Sequence, residues 1–193
     1  MRIVKFPHPA LRHLCKPLRR VDAELRNIVR EMFDLMYEHK GIGLAANQVD
    51  LPYRMFILNL SGDAGQPELE HVFINPALSR PSGTVEADEG CLSFPEIFAP
   101  VRRAERISVS AYNLGGEELN LRIEGLLARA VQHEYDHLDG RVFTDRLSPA
   151  ALLSIREHIE DLELVFHGDR DRGVLPDDQQ IAARLAELEA LRT

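Results

Sequence analysis

The sequence predicts an α+β fold. Two observations lead to that class. Strand-like segments cluster in the middle of the chain, one of them with strict polar–apolar alternation, and segments with helical apolar spacing lie before and after them. A length of 193 residues, 45% of them hydrophobic, suits one globular body with a real core.

The elements follow in order. The first helix runs from about Asp22 to Lys40. Asp22 is placed to cap it and Gly41 to stop it. Leu25, Ile28, Val29, Met32, Phe33 and Met36 recur at helical spacing and form one apolar stripe. GIGLAANQ (41–48) follows, and its start is too glycine-rich for regular structure. MFILNL (55–60) and HVFIN (71–75) read as strands with a Ser-Gly-Asp-Ala-Gly turn region between them. RISVSAYN (106–113) alternates, Gly115-Gly116 turns the chain, and ELNLRI (118–123) pairs back as a hairpin.

A second helix is expected from about Glu124 to Gly140 and an amphipathic third from about Pro149 to Phe166. HGDRDRGVLPDDQQ (167–180) is polar and turn-rich. A short helix, IAARLAELEALR (181–192), closes the chain with Ile181, Leu185, Leu188 and Leu191 on one side. This divides the chain into a main body at 1–167 and a polar linker with a short C-terminal helix at 168–193. The tail is expected to pack on its own body, with docking on a ribosome or self-association as the other readings.

Composition narrows the function classes. A formal net charge of -8 argues against broad nucleic-acid binding. Only two cysteines occur, Cys15 and Cys91, far apart in sequence, and two in an otherwise cytosolic-looking chain do not suggest a disulfide framework. No stretch approaches the roughly 18–20 apolar residues of a membrane span. The expectation is a soluble cytoplasmic protein without membrane attachment.

Residues 133–137 read His-Glu-Tyr-Asp-His, an H-E-x-x-H pattern. Histidines at i and i+4 share one helix face and can bind one metal ion, and the glutamate between them can act on a water at that ion. On a helical wheel His137 falls between Leu126 and Ala130, Glu134 between Ala130 and Leu127, and His133 at the edge of the same stripe. Arg129, Gln132, Asp136 and Asp139 fall on the opposite side. Two imidazoles and a carboxylate on the apolar side need a partner, because a buried unpaired charge is costly. A metal ion supplies one; a closed set of core hydrogen bonds is the blander reading.

The third ligand decides the class. One protease pattern continues as H-E-x-x-H-x-x-G-x-x-H, and this chain follows it to Gly140 but has Phe143 at the last position. Another protease class takes a glutamate some twenty residues downstream, where Glu157, Glu160 and Glu163 lie. The competing ligand is Cys91 in EGCLSFP (89–95), a thiolate that with two imidazoles leaves a position open for water.

GIGLAANQ, EGCLSFP and QHEYDHLDG resemble, in that order and spacing, the three signature segments of the peptide deformylases. The resemblance covers most of residues 1–150. It implies antiparallel strands packed around a central H-E-x-x-H helix, with a C-terminal helix beyond. It also implies Cys91, His133 and His137 as ligands of one divalent ion: Fe(II) first, with Zn(II), Ni(II) or Co(II) as alternatives.

The implied activity is hydrolysis of the formyl group from the N-terminal methionine of new proteins, with release of formate. Water activated at the metal attacks the formyl carbon, and Glu134 acts as general base. The Gln48 side-chain amide and the Leu92 N–H would stabilise the oxyanion. Gly43 would pair with the substrate main chain. Ile42, Leu126 and Ala130 are candidates to meet the methionine side chain. Glu89 would support its own loop or a ligand, and Arg103 would pair with an acid, with a peptide carboxylate or in a surface ion pair. The implied partner is an N-formylmethionyl peptide, with the ribosome exit region as a further contact and a monomer or weak dimer as the assembly. Phe94 and Phe98-Ala99-Pro100 depart from the common pattern beside the peptide groove. Two other readings stand beside this one: a zinc peptidase using His133, His137 and Glu157, and a catalytically silent metal-binding relative.

Overall fold

A computed structural model describes residues 1–193 in full. Its helices are α1 (Ala23–Glu38), α2 (Gly125–Leu138), α3 (Pro149–Ser154), α4 (Arg156–Asp171) and α5 (Asp178–Arg192). Its strands are β1 (Gly43–Ala45), β2 (Met55–Leu58), β3 (His71–Ser82), β4 (Val85–Cys91), β5 (Phe94–Arg103), β6 (Arg106–Tyr112) and β7 (Glu118–Glu124). Five strands form one antiparallel sheet in the order β1-β2-β3-β6-β7, and β4 and β5 pair as a separate antiparallel ribbon.

Strand β2 shows why two helices flank the sheet. All four of its side chains are buried. Successive strand residues point to opposite faces, so Met55 and Ile57 join α1's Leu25, Met32 and Met36 on one side. Phe56 and Leu58 join α2's Ala128, Val131 and Leu138 on the other. The helix bearing the H-E-x-x-H pattern is thus central. Asp22 caps α1 by accepting from the Leu25 N–H at 2.9 Å.

Several expectations are corrected. Helix α1 ends at Glu38, and it is Lys40, with φ 56°, that adopts the left-handed turn. Gly41 has another reason to be glycine: a Cβ there would meet Leu92 Cδ1 at 2.6 Å. The 41–48 segment is more regular than expected, with β1 followed by a 3-10 helix over Ala46–Val49. The β4–β5 ribbon is an addition to the expected strands. The expected third helix breaks at Ile155, whose side chain stays in the core while its backbone, at φ -111° and ψ 5°, separates α3 from α4.

Helix α4 then continues to Asp171, past the expected boundary at 167/168, so only residues 172–177 connect to α5. On α5, Ile181 and Leu185 are buried in the cluster that holds Val4, Leu11, Phe94 and Phe143, whereas Leu191 faces solvent. The buried Arg192 holds Asp22 at 2.9 Å and also pairs with Glu24. The tail is therefore tied to the body at both its apolar face and its end. No helix is long and apolar enough to cross a membrane.

Candidate metal centre

Helix α2 presents His133, Glu134 and His137, all buried. Cys91 is the last residue of β4, at the mouth of a two-residue turn, Leu92-Ser93, that leads into β5 through the Cys91–Phe94 pair. One ligand atom from each of Cys91, His133 and His137 lies within 4.8 Å of the others. Cys91 Sγ sits 3.3 Å from His137 Nε2. No other group of three or more such side chains gathers elsewhere in the chain, and Glu157 and Glu160 face solvent on α4. The glutamate-completed peptidase reading is thereby set aside.

The donors suit a divalent cation. Glu89 Oε2 lies 2.9 Å from His133 Nδ1. With Nδ1–H donating there, Nε2 is left as the coordinating atom. Burial works against charge on His133, yet the Cys91 sulfur and the Glu89 carboxylate outweigh it and raise the imidazole to about 10. An ion bound at that imidazole would take the place of the proton, so its binding is expected to strengthen as pH rises. His137 is instead held well below the usual imidazole range by burial and by its neighbour His133, which suits a neutral donor to an ion. Its Nδ1 and Glu134 Oε2 are buried without a hydrogen-bond partner, which leaves both free to meet a ligand or water.

Glu134 is pushed up to about 7, chiefly by burial, with the His133 charge pulling the other way. A carboxyl so placed exchanges a proton readily at neutral pH. Gly43 makes room for it: a Cβ there would collide with Glu134 Oε1 and come within 2.6 Å of Leu58 Cδ2. Gln48 is buried, and its Oε1 accepts from the Ala45 N–H at 2.8 Å. Its Nε2 then points to Cys91 Sγ at 3.3 Å and Ser93 Oγ at 3.2 Å. The Leu92 N–H makes no hydrogen bond within the chain. These donors and the sulfur border a cavity of about 570 Å³ that also reaches Ile42, Leu126 and Ala130. Of these three only Ala130 is buried; Ile42 and Leu126 are exposed on the rim.

The supporting network corrects the helical-wheel reading. Asp136, assigned to the outward side, is buried between Arg103 and Arg146, with Arg146 Nε at 3.0 Å. Arg103 is no surface pair either. It grips Glu89 through two bonds of 2.9 Å while also pairing with Asp136. Arg129 donates to Glu89 Oε1 at 2.6 Å and to the Val101 carbonyl at 3.0 Å. In spite of its burial, Glu89 is held down to about 2 by its bonds to His133 and the Arg103 guanidinium.

Sequence reasoning overlooked Asn47, which donates to the His137 carbonyl at 2.5 Å, as well as Ser93 and Lys5. Asn47 and Ser93 lie inside segments already singled out, so their place beside Gln48 and Cys91 was within reach. Nothing in the sequence around Lys5 connects it with residues near 92.

Comparison with known proteins gives consistent relatives. The family model described as polypeptide deformylase matches residues 1–152. A peptide deformylase of Rhodopirellula baltica is 44% identical over 191 residues, spanning 99% of this chain and 94% of its own. One of Neisseria gonorrhoeae is 46% identical over 148 residues, 77% of this chain and 87% of its own. Among solved structures, peptide deformylase from Plasmodium falciparum superposes with a TM-score of 0.85 at 36% identity, covering 86% of this chain and 98% of that one. Plant peptide deformylase 1B superposes with a TM-score of 0.85 at 41% identity, covering 92% and 95%.

Proposed function

The chain belongs to the polypeptide deformylase family, and on that footing we propose that it deformylates the N-terminal methionine of new proteins with Glu134, Gln48 and the Leu92 N–H working beside a divalent ion held by Cys91, His133 and His137. The enzyme is a hydrolase of a linear amide. Water adds to the formyl carbon, the carbon–nitrogen bond breaks, formate departs, and the amine of methionine receives the proton.

A bound divalent ion supplies Lewis acidity toward both the water and the formyl carbonyl. Fe(II) is the ion proposed, with Zn(II), Ni(II) and Co(II) as substitutes, since a donor set of one thiolate and two imidazoles suits them all. Glu134 takes the proton of the attacking water and returns it to the departing nitrogen. Its elevation to about 7 by burial supports both halves of that shuttle. Gln48 Nε2 and the Leu92 N–H, two neutral donors next to the sulfur, stabilise charge developing on the former carbonyl oxygen. Gly43 leaves the backbone bare beside Glu134, so a substrate main chain can approach. Ile42 and Leu126, apolar and exposed on the cavity rim, offer contact to the methionine side chain.

One observation carries this reading: the three ligand atoms within 4.8 Å of one another, set beside a buried and unpartnered glutamate oxygen. Formate release from formyl-Met-Ala-Ser by anaerobically prepared, iron-loaded protein tests it. Glu134→Ala is expected to lower kcat by about 10²- to 10⁴-fold. Cys91→Ala is expected to release the metal. An iron-loaded wild type that yields no formate would refute the proposal.

A further inference from the structure

The first residues of the chain reach both segments that carry the oxyanion donors. The Val4 N–H donates to the Gln48 carbonyl at 2.8 Å and the Phe6 N–H donates to the Ser93 carbonyl at 3.0 Å. Between them the Lys5 ammonium donates to the Leu92 carbonyl at 2.6 Å, and that carbonyl takes no other hydrogen bond. The segment is itself well anchored. Val4 is buried in the cluster that contains Phe94, and the Phe6 ring stacks on Phe94 with centroids 4.8 Å apart.

The covalent geometry gives these bonds a consequence. Leu92 and Ser93 form a tight turn between paired Cys91 and Phe94. The Leu92 N–H and carbonyl lie on the two peptide planes flanking one Cα, so fixing the carbonyl restricts rotation of that residue and with it the aim of the N–H. A short bond from an ammonium is a strong restraint, because one partner is ionised. Lys5 also lines the catalytic cavity while staying half-buried, so its charge acts at short range on the turn.

We propose that Val4–Phe6 braces the oxyanion hole and that Lys5 is its positioning residue, holding the Leu92 peptide so that its N–H meets the transition state. This rests on the reading of Gln48 and the Leu92 N–H as oxyanion donors. Such a restraint acts on the transition state more than on substrate binding, so its loss appears in kcat rather than KM.

The test compares cobalt-loaded wild type, Lys5→Met and Lys5→Arg. Lys5→Met keeps an apolar stem and removes the donor; Lys5→Arg keeps a cationic donor. For Lys5→Met, kcat on formyl-Met-Ala-Ser is expected to fall about tenfold, with KM changed less than about twofold. Cobalt content and its visible spectrum stay as in wild type, deuterium uptake across residues 91–94 rises, and Lys5→Arg recovers most of the lost kcat. A kcat within about twofold of wild type overturns the proposal. So does a loss carried by KM or by cobalt content, and so does failure of Lys5→Arg to recover. Should Lys5→Met not fold, Lys5→Gln takes its place with the same outcomes. Absence of formate from the wild type itself would sink the deformylase reading, separately from the brace.

Discussion

Arg103→Leu probes the network behind the proposed metal ligands. Arg103, Glu89 and Asp136 have side chains only 4%, 5% and 6% exposed. Removing the guanidinium leaves two buried carboxylates short of a partner. Breaking a buried ion pair in this way costs about 3–5 kcal/mol. The low end applies here, because Glu89 keeps Arg129 at 2.6 Å and Asp136 keeps Arg146. A loss of about 3 kcal/mol lowers Tm by roughly 6–12 °C in a chain of this size. A second effect follows through Glu89, which orients His133: metal affinity should drop about 10- to 100-fold.

Thermal unfolding of metal-free and metal-loaded protein reads the first effect, and competition with a chelator reads the second. Lysine cannot reproduce the two-pronged grip on Glu89, so Arg103→Lys should recover little. A fall in Tm under about 2 °C would be that of an exposed pair worth under about 1 kcal/mol, and would refute the account of Arg103 as the support of a buried acid.

Three further outcomes are expected. Gly43→Ala forces a methyl group against Glu134 Oε1 and Leu58; overpacking of about 1–3 kcal/mol should accompany a displaced carboxylate, and a kcat for formate release equal to wild type would contradict the assignment of Glu134. Glu89 is held at about 2 against an ordinary 4.5. Its folded value is depressed, so the stability it contributes is present above about 4.5 and fades as pH falls toward about 2; Glu89→Gln, compared with wild type in denaturant melts between these limits, should show a weaker acid dependence. Leu185→Ala should cost about 2–5 kcal/mol, because Leu185 is buried with Leu11, Phe94 and Phe143. A urea midpoint shift equivalent to less than about 1 kcal/mol would mean that the tail packs loosely.

The helices and the paired histidines were legible because each rests on a local rule. The α1 stripe and Asp22 cap follow from spacing and one side chain, and two histidines at i and i+4 reach the same ion on any helix. Gln48 and Cys91 needed the motif around them, since a glutamine in a loop and a lone cysteine carry no geometry of their own. The outward assignment of Asp136 failed for a physical reason. A wheel gives each residue an angle and leaves the buried arc to be drawn from polarity, and it has no means of showing that Arg103 and Arg146 would arrive from elsewhere to make a buried aspartate tolerable.

The β4–β5 ribbon was hidden by its polarity. In VEADEGC only Glu89 is fully buried, so no apolar period exists to be read. In FPEIFAPVRR the inward positions from Ile97 onward are Ile97, Ala99, Val101 and Arg103. The period of two is present, obscured by two prolines and completed by an arginine in the apolar phase. An arginine in that phase is informative in itself, because a guanidinium turned inward must meet buried acids. Of the acids inside the segments that carry the chemistry, Arg103 meets Glu89, two residues before Cys91, and Asp136, between the paired histidines. An inward Arg103 therefore joins those two segments in space, since it is the one cation whose strand phase points it at both acids. The support of His133 is thus written in the strand alternation, and the pairing of the two histidines in the helix spacing.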